Sequence, residues 1–387
     1  MSDSMKVLVA TGAMNAGGAE TLIMEILRHQ TGRVQYAVLV HYAGEKPVGT
    51  FDDEIQALDV PIYYIHTVGS VGLKQYTREL GAINRQYGPF DVIHSHLNGI
   101  SGAIAKAAKQ VGIPSRIAHC HADITFKGSF IRRAKEEALL QLMRHYIDTY
   151  ANQYWACSSQ AAKRLFYKRR LQEAVVIPNI IDVEKYLSTG NSKEDAKKRF
   201  SLENITVIGA VGRIAPIKNY EYIIRLVKSL KDSGTQVTFA CFGRVANEDY
   251  YQSLLDLAKE LDVEQQVKFL GNSTNVAADI HCFDIFVMPS FSEGFGIAAI
   301  EAQAAGLPTV VSTGVSKAVD MGLGLVSFID LEKEEQWVET IRNLCQNPPA
   351  DVSTETIIRQ FTQNGFNAKT AVETIENRYI EMIETTR

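Results

Sequence analysis

One stretch, residues 284–308, limits the folds open to this chain more than any other. Asp284-Ile285-Phe286-Val287-Met288-Pro289 is a short, β-prone apolar run closed by a proline, and reads as a buried strand. From Ile297 onward the residues are small, apolar and helix-prone, and Gly306-Leu307-Pro308 stops the helix. Glu293 to Gly296 therefore form a turn between a strand and a helix start. In an open parallel sheet, such a turn at the carboxyl end of a strand is where ligands bind. Gly294 and Gly296 let the backbone approach a ligand, and the free N–H groups of the helix start favour an anion. Glu293 sits on the turn and Glu301 on the second turn of the helix. Two carboxylates would repel one phosphate, so they suit sugar hydroxyls, with the backbone holding phosphate between them. Taken singly, each glutamate reads as a helix-end or surface acid; the glycines and the strand–turn–helix frame favour ligand contact. A Glu301 on a buried helix needs a polar partner.

The rest of the chain repeats strand and helix in turn, which specifies parallel sheets with right-handed crossovers. Lys6 to Thr11 is a strand, Gly12 to Gly18 a glycine-rich loop and Ala19 to Gln30 an amphipathic helix. The loop is not Gly-x-Gly-x-x-Gly, which weakens the case for a dinucleotide. A second strand, Ile205 to Val211, leads into Gly212-Arg213-Ile214-Ala215-Pro216-Ile217-Lys218-Asn219. An arginine and a lysine five apart across a turn can converge on one diphosphate, the first as a fork and the second as a point charge. Asn219 is a favourable N-cap for a helix over 220–231. Residues 183–204 are polar and charged and read as a linker. With 387 residues, two doubly wound domains are expected.

His94/His96 and His119/His121 sit at i, i+2 at the ends of two strands, each pair on one face. No carboxylate or cysteine set converges with them, so no metal site is expected. Hydrogen-bonded polar residues at strand ends are the plain reading; His121, furthest into its loop, is the candidate to line a ligand cleft.

Four motifs together carry a resemblance. Glu293-x7-Glu301 enclosing Gly294-Phe295-Gly296, the Gly17-Gly18-Ala19-Glu20 turn, Val175 to Asp182 with its Pro178-Asn179, and Gly212-Arg213-x4-Lys218-Asn219 resemble the retaining GT-B glycosyltransferases called glycosyl transferases group 1 (family 4). The resemblance spans essentially the whole chain. It implies two facing Rossmann-like domains, 1–182 for the acceptor and 183–365 for the nucleotide-sugar donor, with a last helix over 366–387 crossing back to the first. It implies that Glu293 contacts hydroxyls of the donor sugar and Glu301 the ribose. Arg213 and Lys218 would bind the departing diphosphate, with Gly17, Gly18, Gly294, Phe295 and Gly296 around the donor. Asn272 would border the base, and His121 would contact the donor sugar or phosphate. Glu20, His96 and Asp123 fall on the acceptor side. Two departures stand out: Ile180 where glycine is usual, and Arg244 in a Gly-x-Gly position. Lys317 to Asp320 and Val326 to Ile329 look most like the branch that builds capsular and exopolysaccharide repeat units.

The expected reaction moves a sugar from a nucleotide-diphosphate donor, a UDP-sugar, to a glycan or polyprenyl-diphosphate-linked sugar, with retention. No Asp-x-Asp motif lies on a suitable loop, so no metal or other cofactor is expected. A sugar-nucleotide epimerase or phosphorylase of the same fold, or a non-catalytic nucleotide-sugar-binding subunit, are the other classes. A phosphorylase would need a phosphate or cofactor-lysine site, which is not evident. A binder that had lost chemistry could have lost some of Arg213, Lys218, Glu293 and Glu301.

Charge is uneven. Residues 1–190 carry 21 Lys and Arg against 17 Asp and Glu, the remainder 19 against 27. The basic first half could meet an anionic acceptor or membrane surface through helices over 130–150 and 159–170; a solvated face is the plainer reading. Nucleic acid is not an expected partner. Five scattered cysteines and a start that runs directly into a strand fit a cytoplasmic protein, possible at the inner membrane face.

Overall fold

The computed structural model describes residues 4–15, 17–121, 129–187, 193–293 and 295–384; Asp123 and Gly294, both expected at the site, lie outside them. The chain divides into two compact units, Met1–Ile181 with Gly365–Arg387, and Asp182–Asn364.

The first unit is built on seven parallel strands: β1 (Met5–Thr11), β2 (Val34–Tyr42), β3 (Ile62–His66), β4 (Val92–Ser95), β5 (Ser115–Cys120), β6 (Gln153–Ala156) and β7 (Val175–Val176). Their order is β3-β2-β1-β4-β5-β6-β7. The order reverses between β1 and β4, which creates a switch point between the loops that leave those two strands. Strands covered on both faces are apolar along their length, and β1 buries Val7, Leu8, Val9 and Ala10. The last helix, Ala368–Glu384, belongs to this unit and packs Val372, Ile375 and Tyr379 into its core. Its Glu376 is fully buried and accepts from the Thr31 N–H at 3.1 Å and the Tyr36 hydroxyl at 3.3 Å.

The second unit has six parallel strands, β8 (Val207–Val211), β9 (Thr238–Phe242), β10 (Val267–Phe269), β11 (Ile285–Met288), β12 (Thr309–Ser312) and β13 (Val326–Ile329), in the order β10-β9-β8-β11-β12-β13. Its switch point lies between β8 and β11. Helix Tyr220–Asp232 buries Ile223, Ile224, Leu226, Val227 and Leu230 against Ile208, Phe239 and Ile285 of the sheet. At about 1.5–3 kcal/mol for each large apolar side chain, that face alone fixes the helix on the sheet.

Two expectations need correction, and one helix was not anticipated. Residues 183–204 are no plain linker: they form helices Val183–Leu187 and Lys193–Arg199 within the second unit. The charges that suggested solvent instead anchor the segment, with Lys193 and Lys197 both paired to Asp284. Asn219 does not cap the next helix through its side chain; its backbone is left-handed, with φ 56° and ψ 48°. A helix at Thr354–Gln363, unread in the sequence, buries Ile357 and Phe361.

Candidate active site

In the second unit the sequence-predicted residues gather on the two loops of the switch point. The loop after β8 and the loop after β11 are stitched together. Phe291 N–H donates to the Ile217 carbonyl at 3.0 Å, and Asn219 Nδ2 donates to the Pro289 carbonyl at 3.1 Å. The left-handed backbone at Asn219 turns its amide toward the end of β11 instead of the helix start. Asparagine tolerates that conformation better than most residues.

The join brings Lys218 and Glu293, 75 residues apart, into an ion pair. Lys218 Nζ lies 2.7 and 2.9 Å from the two Glu293 oxygens, with side chains 20% and 10% exposed. Ser290 Oγ also donates to Glu293, at 2.5 Å. The lysine expected on diphosphate and the carboxylate expected on sugar hydroxyls thus neutralise each other in this state. Arg213 is exposed, with no side-chain partner among the described residues. Its loop is fixed by Ile214 N–H donating to the Arg244 carbonyl at 2.9 Å. So the Arg244 backbone supports the loop, while its side chain is exposed.

Gly296 opens helix Ile297–Ala304 with φ 90°. A Cβ there would stand 3.1 Å from Val315 and 3.3 Å from Val319, so conformation and space both call for glycine. Phe295 is buried beside it. Glu301 is half-buried and accepts from the Tyr186 hydroxyl at 2.8 Å. Tyr186 was missed by sequence reasoning. It lies in the segment read as linker, 115 residues from Glu301, and only the need of Glu301 for a partner pointed to it. Asn272 is exposed just past edge strand β10, beside the Gly271 carbonyl that accepts from Gly243 N–H at 2.8 Å.

In the first unit the Gly17–Gly18 turn opens helix Gly18–Arg28, with Gly17 as N-cap. Glu20 curls back over it: a Cβ on Gly17 would collide with a Glu20 carboxylate oxygen. Burial pushes the Glu20 carboxyl up from its ordinary value. Gly18 approaches the Asn179 side chain, so the Pro178-Asn179 motif packs against the turn.

The two histidine pairs meet face to face. His94 Nε2 is 3.0 Å from His119 Nδ1, and His96 Nδ1 is 2.8 Å from His121 Nε2. His94 Nδ1 contacts the Tyr379 hydroxyl at 2.7 Å, and Asn98 Oδ1 accepts from the His121 backbone N–H at 2.8 Å. Burial keeps all four imidazoles neutral: His94, His96 and His119 titrate well below the ordinary range and His121 at about 3. His96, expected on the acceptor side, is only 3% exposed and touches His121 instead.

The profile of Glycosyltransferase Family 4 matches residues 16–185, and that of Glycosyl transferases group 1 matches residues 191–361. EpsF of Bacillus subtilis (strain 168) is 30% identical over 98% of this chain and 97% of its own. The chain belongs to the group 1, family 4 glycosyltransferases. A UDP-Gal:alpha-D-GlcNAc-diphosphoundecaprenol alpha-1,3-galactosyltransferase of Escherichia coli is 24% identical over 76% of each chain. A glycosyltransferase structure from Rickettsia africae superposes with a TM-score of 0.80 at 15% identity, covering 98% of this chain and 99% of that one. The fold is accordingly GT-B: two Rossmann-like units of parallel sheet, with the last helix in the first unit.

Proposed function

We propose that this glycosyltransferase moves a sugar from a UDP-sugar to a glycan or lipid-linked glycan acceptor, with retention of configuration and without a metal, in exopolysaccharide or capsule assembly. The observation that carries the reading is the second-unit switch point, where Arg213, Lys218, Glu293 and the Gly296 helix start lie on two loops bonded to each other. The E. coli relative supports the choice of donor and of a diphosphate-linked acceptor. Lys317 to Asp320 and Val326 to Ile329 support the capsule branch.

Each residue then has a task. Arg213 and Lys218 neutralise the charge that grows on the departing diphosphate, the electrostatic work that a metal performs elsewhere. Glu293 leaves Lys218 and takes hydroxyls of the sugar. Glu301, held by Tyr186, accepts from the ribose, and the loop at Asn272 borders the base. Gly17, Gly18 and the Gly294–Gly296 backbone line the donor. His121 contacts the donor sugar or phosphate. Glu20 serves the acceptor, whose other proposed contact is Asp123. The leaving phosphate accepts the proton of the incoming hydroxyl on the same face, so no carboxylate nucleophile is required.

We also place the enzyme at the cytoplasmic face of a membrane. Among the described residues no helix is long and apolar enough to cross one. Helix Phe130–Tyr150 exposes Phe130, Ile131, Leu139 and Leu142 beside Arg132, Arg133 and Lys135. In the second basic cluster Arg164 pairs with Glu137, and Arg169 and Arg170 with Asp148, as Arg132 does with Glu136 in the first; Lys163 and Lys168 are exposed.

The test is a thermal-shift and calorimetric panel of UDP, GDP, ADP and their sugar conjugates, with and without EDTA. Stabilisation by UDP alone, indifferent to EDTA, is expected. A folded protein that responds to none of them refutes the donor site.

A further inference from the structure

Four histidines at the ends of β4 and β5, His94, His96, His119 and His121, contact one another through their rings. His94 lies across His96, and His119 across His121, with ring centroids 4.1 Å apart in both cases. Two of the remaining three contacts are of a different kind. His94 and His119 have interplanar angle 3° and centroids 5.1 Å apart; His96 and His121 have 16° and 4.9 Å. With nitrogens 3.0 and 2.8 Å apart, such rings must aim those nitrogens at each other almost along the line joining them. They lie edge to edge, joined by N–H···N bonds.

The donor atoms of His94, His96 and His119 lie within 4.8 Å of one another, a spacing that a metal could use. A cation needs about 2.0–2.1 Å to each nitrogen. The edge-to-edge contacts leave room for a proton and not for an ion, so the lattice reads as a hydrogen-bonded one.

Each N–H···N bond holds one proton, and its direction decides what the far nitrogens carry. Three of those nitrogens are buried without a partner among the described residues: His96 Nε2, His119 Nε2 and His121 Nδ1. Suppose His121 Nε2–H donates to His96. Then His96 must carry its own proton on Nε2, a fully enclosed N–H with nothing to accept it. Suppose instead that His96 Nδ1–H donates. Then the enclosed His96 Nε2 is a bare lone pair, and the N–H in want of an acceptor is Nδ1 of His121. Both arrangements leave one enclosed N–H without an acceptor, a rare state in a finished protein, so the choice turns on which of the two a bound substrate can satisfy, and that is the one on His121. His121 is also the one histidine of the four that is not fully buried, just past the end of β5.

We propose that His96 is a positioning residue: it donates from Nδ1 to His121 Nε2 and so fixes His121 with its proton on Nδ1, as a hydrogen-bond donor to substrate. The identity of that substrate rests on the glycosyltransferase reading above; the tautomer does not. His121 then serves as a neutral donor to an oxygen of the sugar or diphosphate, not as a general base. His96 has no contact with substrate itself.

Nitrogen-15 NMR of the full chain labelled at histidine, with His121 assigned through His121→Asn, reads the tautomer directly. The expected result at pH 7.5 is an Nδ1–H His121 whose Nδ1 resonance moves on addition of UDP-sugar. In His96→Asp the carboxylate can only accept, so His121 is expected to switch to Nε2–H and turnover to fall by about 10²-fold, the loss typical of one removed donor. His96→Asn places an amide N–H where Nδ1 was and is expected to restore both the tautomer and most of the turnover. An Nε2–H His121 in the unaltered protein overturns the proposal, and that spectrum decides it even if the aspartate variant fails to fold. An Nδ1–H tautomer that ignores UDP-sugar keeps the wiring, removes its role toward substrate and points to failure of the functional reading.

Discussion

Replacing Glu293 by glutamine should separate donor binding from turnover in opposite directions. In the present state the carboxylate holds Lys218 through two contacts of 2.7 and 2.9 Å, in a setting where both side chains are largely shielded from solvent. A hydrogen bond to a charged group contributes about 1.5–3 kcal/mol, and an exposed ion pair about 0.2–1 kcal/mol. A value near 1.4 kcal/mol is a reasonable middle for this half-shielded pair, and it corresponds to tenfold in a binding constant. A diphosphate that recruits Lys218 must first break this pair, and glutamine removes the obstacle while keeping the shape that Ser290 holds. UDP, which has no sugar to miss the carboxylate, should therefore bind Glu293→Gln up to about tenfold more tightly by calorimetry. Turnover should fall by about 10²–10³-fold, because the charged acceptor for the sugar hydroxyls is gone. Weaker UDP binding in the variant would show that the pair does not compete with diphosphate. Near-normal turnover would remove Glu293 from the site altogether.

Tyr186→Phe deletes the hydroxyl that orients Glu301 and should weaken UDP binding about 3- to 10-fold, at about 1 kcal/mol for one hydrogen bond; unchanged UDP affinity by calorimetry would refute a positioning role. Gly296→Ala, at φ 90° with Val315 only 3.1 Å from the new Cβ, should lower stability in urea by about 1–3 kcal/mol; an unshifted midpoint would show that the turn relaxes freely. Stability should also fall as the pH drops from about 6.5 toward 4. The unfolded histidines take up protons there, whereas buried His41, held at about 4, and the four-histidine lattice refuse them. Each such group removes about 1.4 kcal/mol per pH unit across that window and nothing above it. Urea midpoints that stay level from pH 7 to pH 5 would contradict the burial of these rings.

The parts of this protein that were legible in the sequence are those encoded locally. The strand Ile285–Met288 and the helix Ile297–Ala304 follow from composition and spacing, and helix Phe130–Tyr150 begins and ends where its sequence pattern does. Ser158 caps the next helix as its position suggests, accepting from Ala161 N–H at 3.1 Å. What was not legible depends on distant partners. Lys193 and Lys197 look like solvated charge until Asp284 is placed beside them. Asn219 has the residue type of a helix cap, but the Pro289 carbonyl, 70 residues on, offers its amide a better use. The Lys218–Glu293 and Tyr186–Glu301 contacts are invisible to any window of sequence. The same holds for the histidines: each pair shows its period along a strand, but only the pairing of β4 with β5 reveals that the two pairs face each other.

The return of the chain to its first unit has a consequence for synthesis. Trp155 stacks on Tyr379 at 5.6 Å, and the hydroxyl of that tyrosine closes the histidine lattice. During translation, residues 1–181 emerge long before Tyr379 does, and a nascent chain of that length holds His94 and Trp155 with their cover missing. The whole of Asp182–Asn364 leaves the ribosome in the interval and has every strand of its sheet in hand. The unit that begins first is therefore completed last, and a message cut short before Tyr379 yields a chain with one finished unit and one left open.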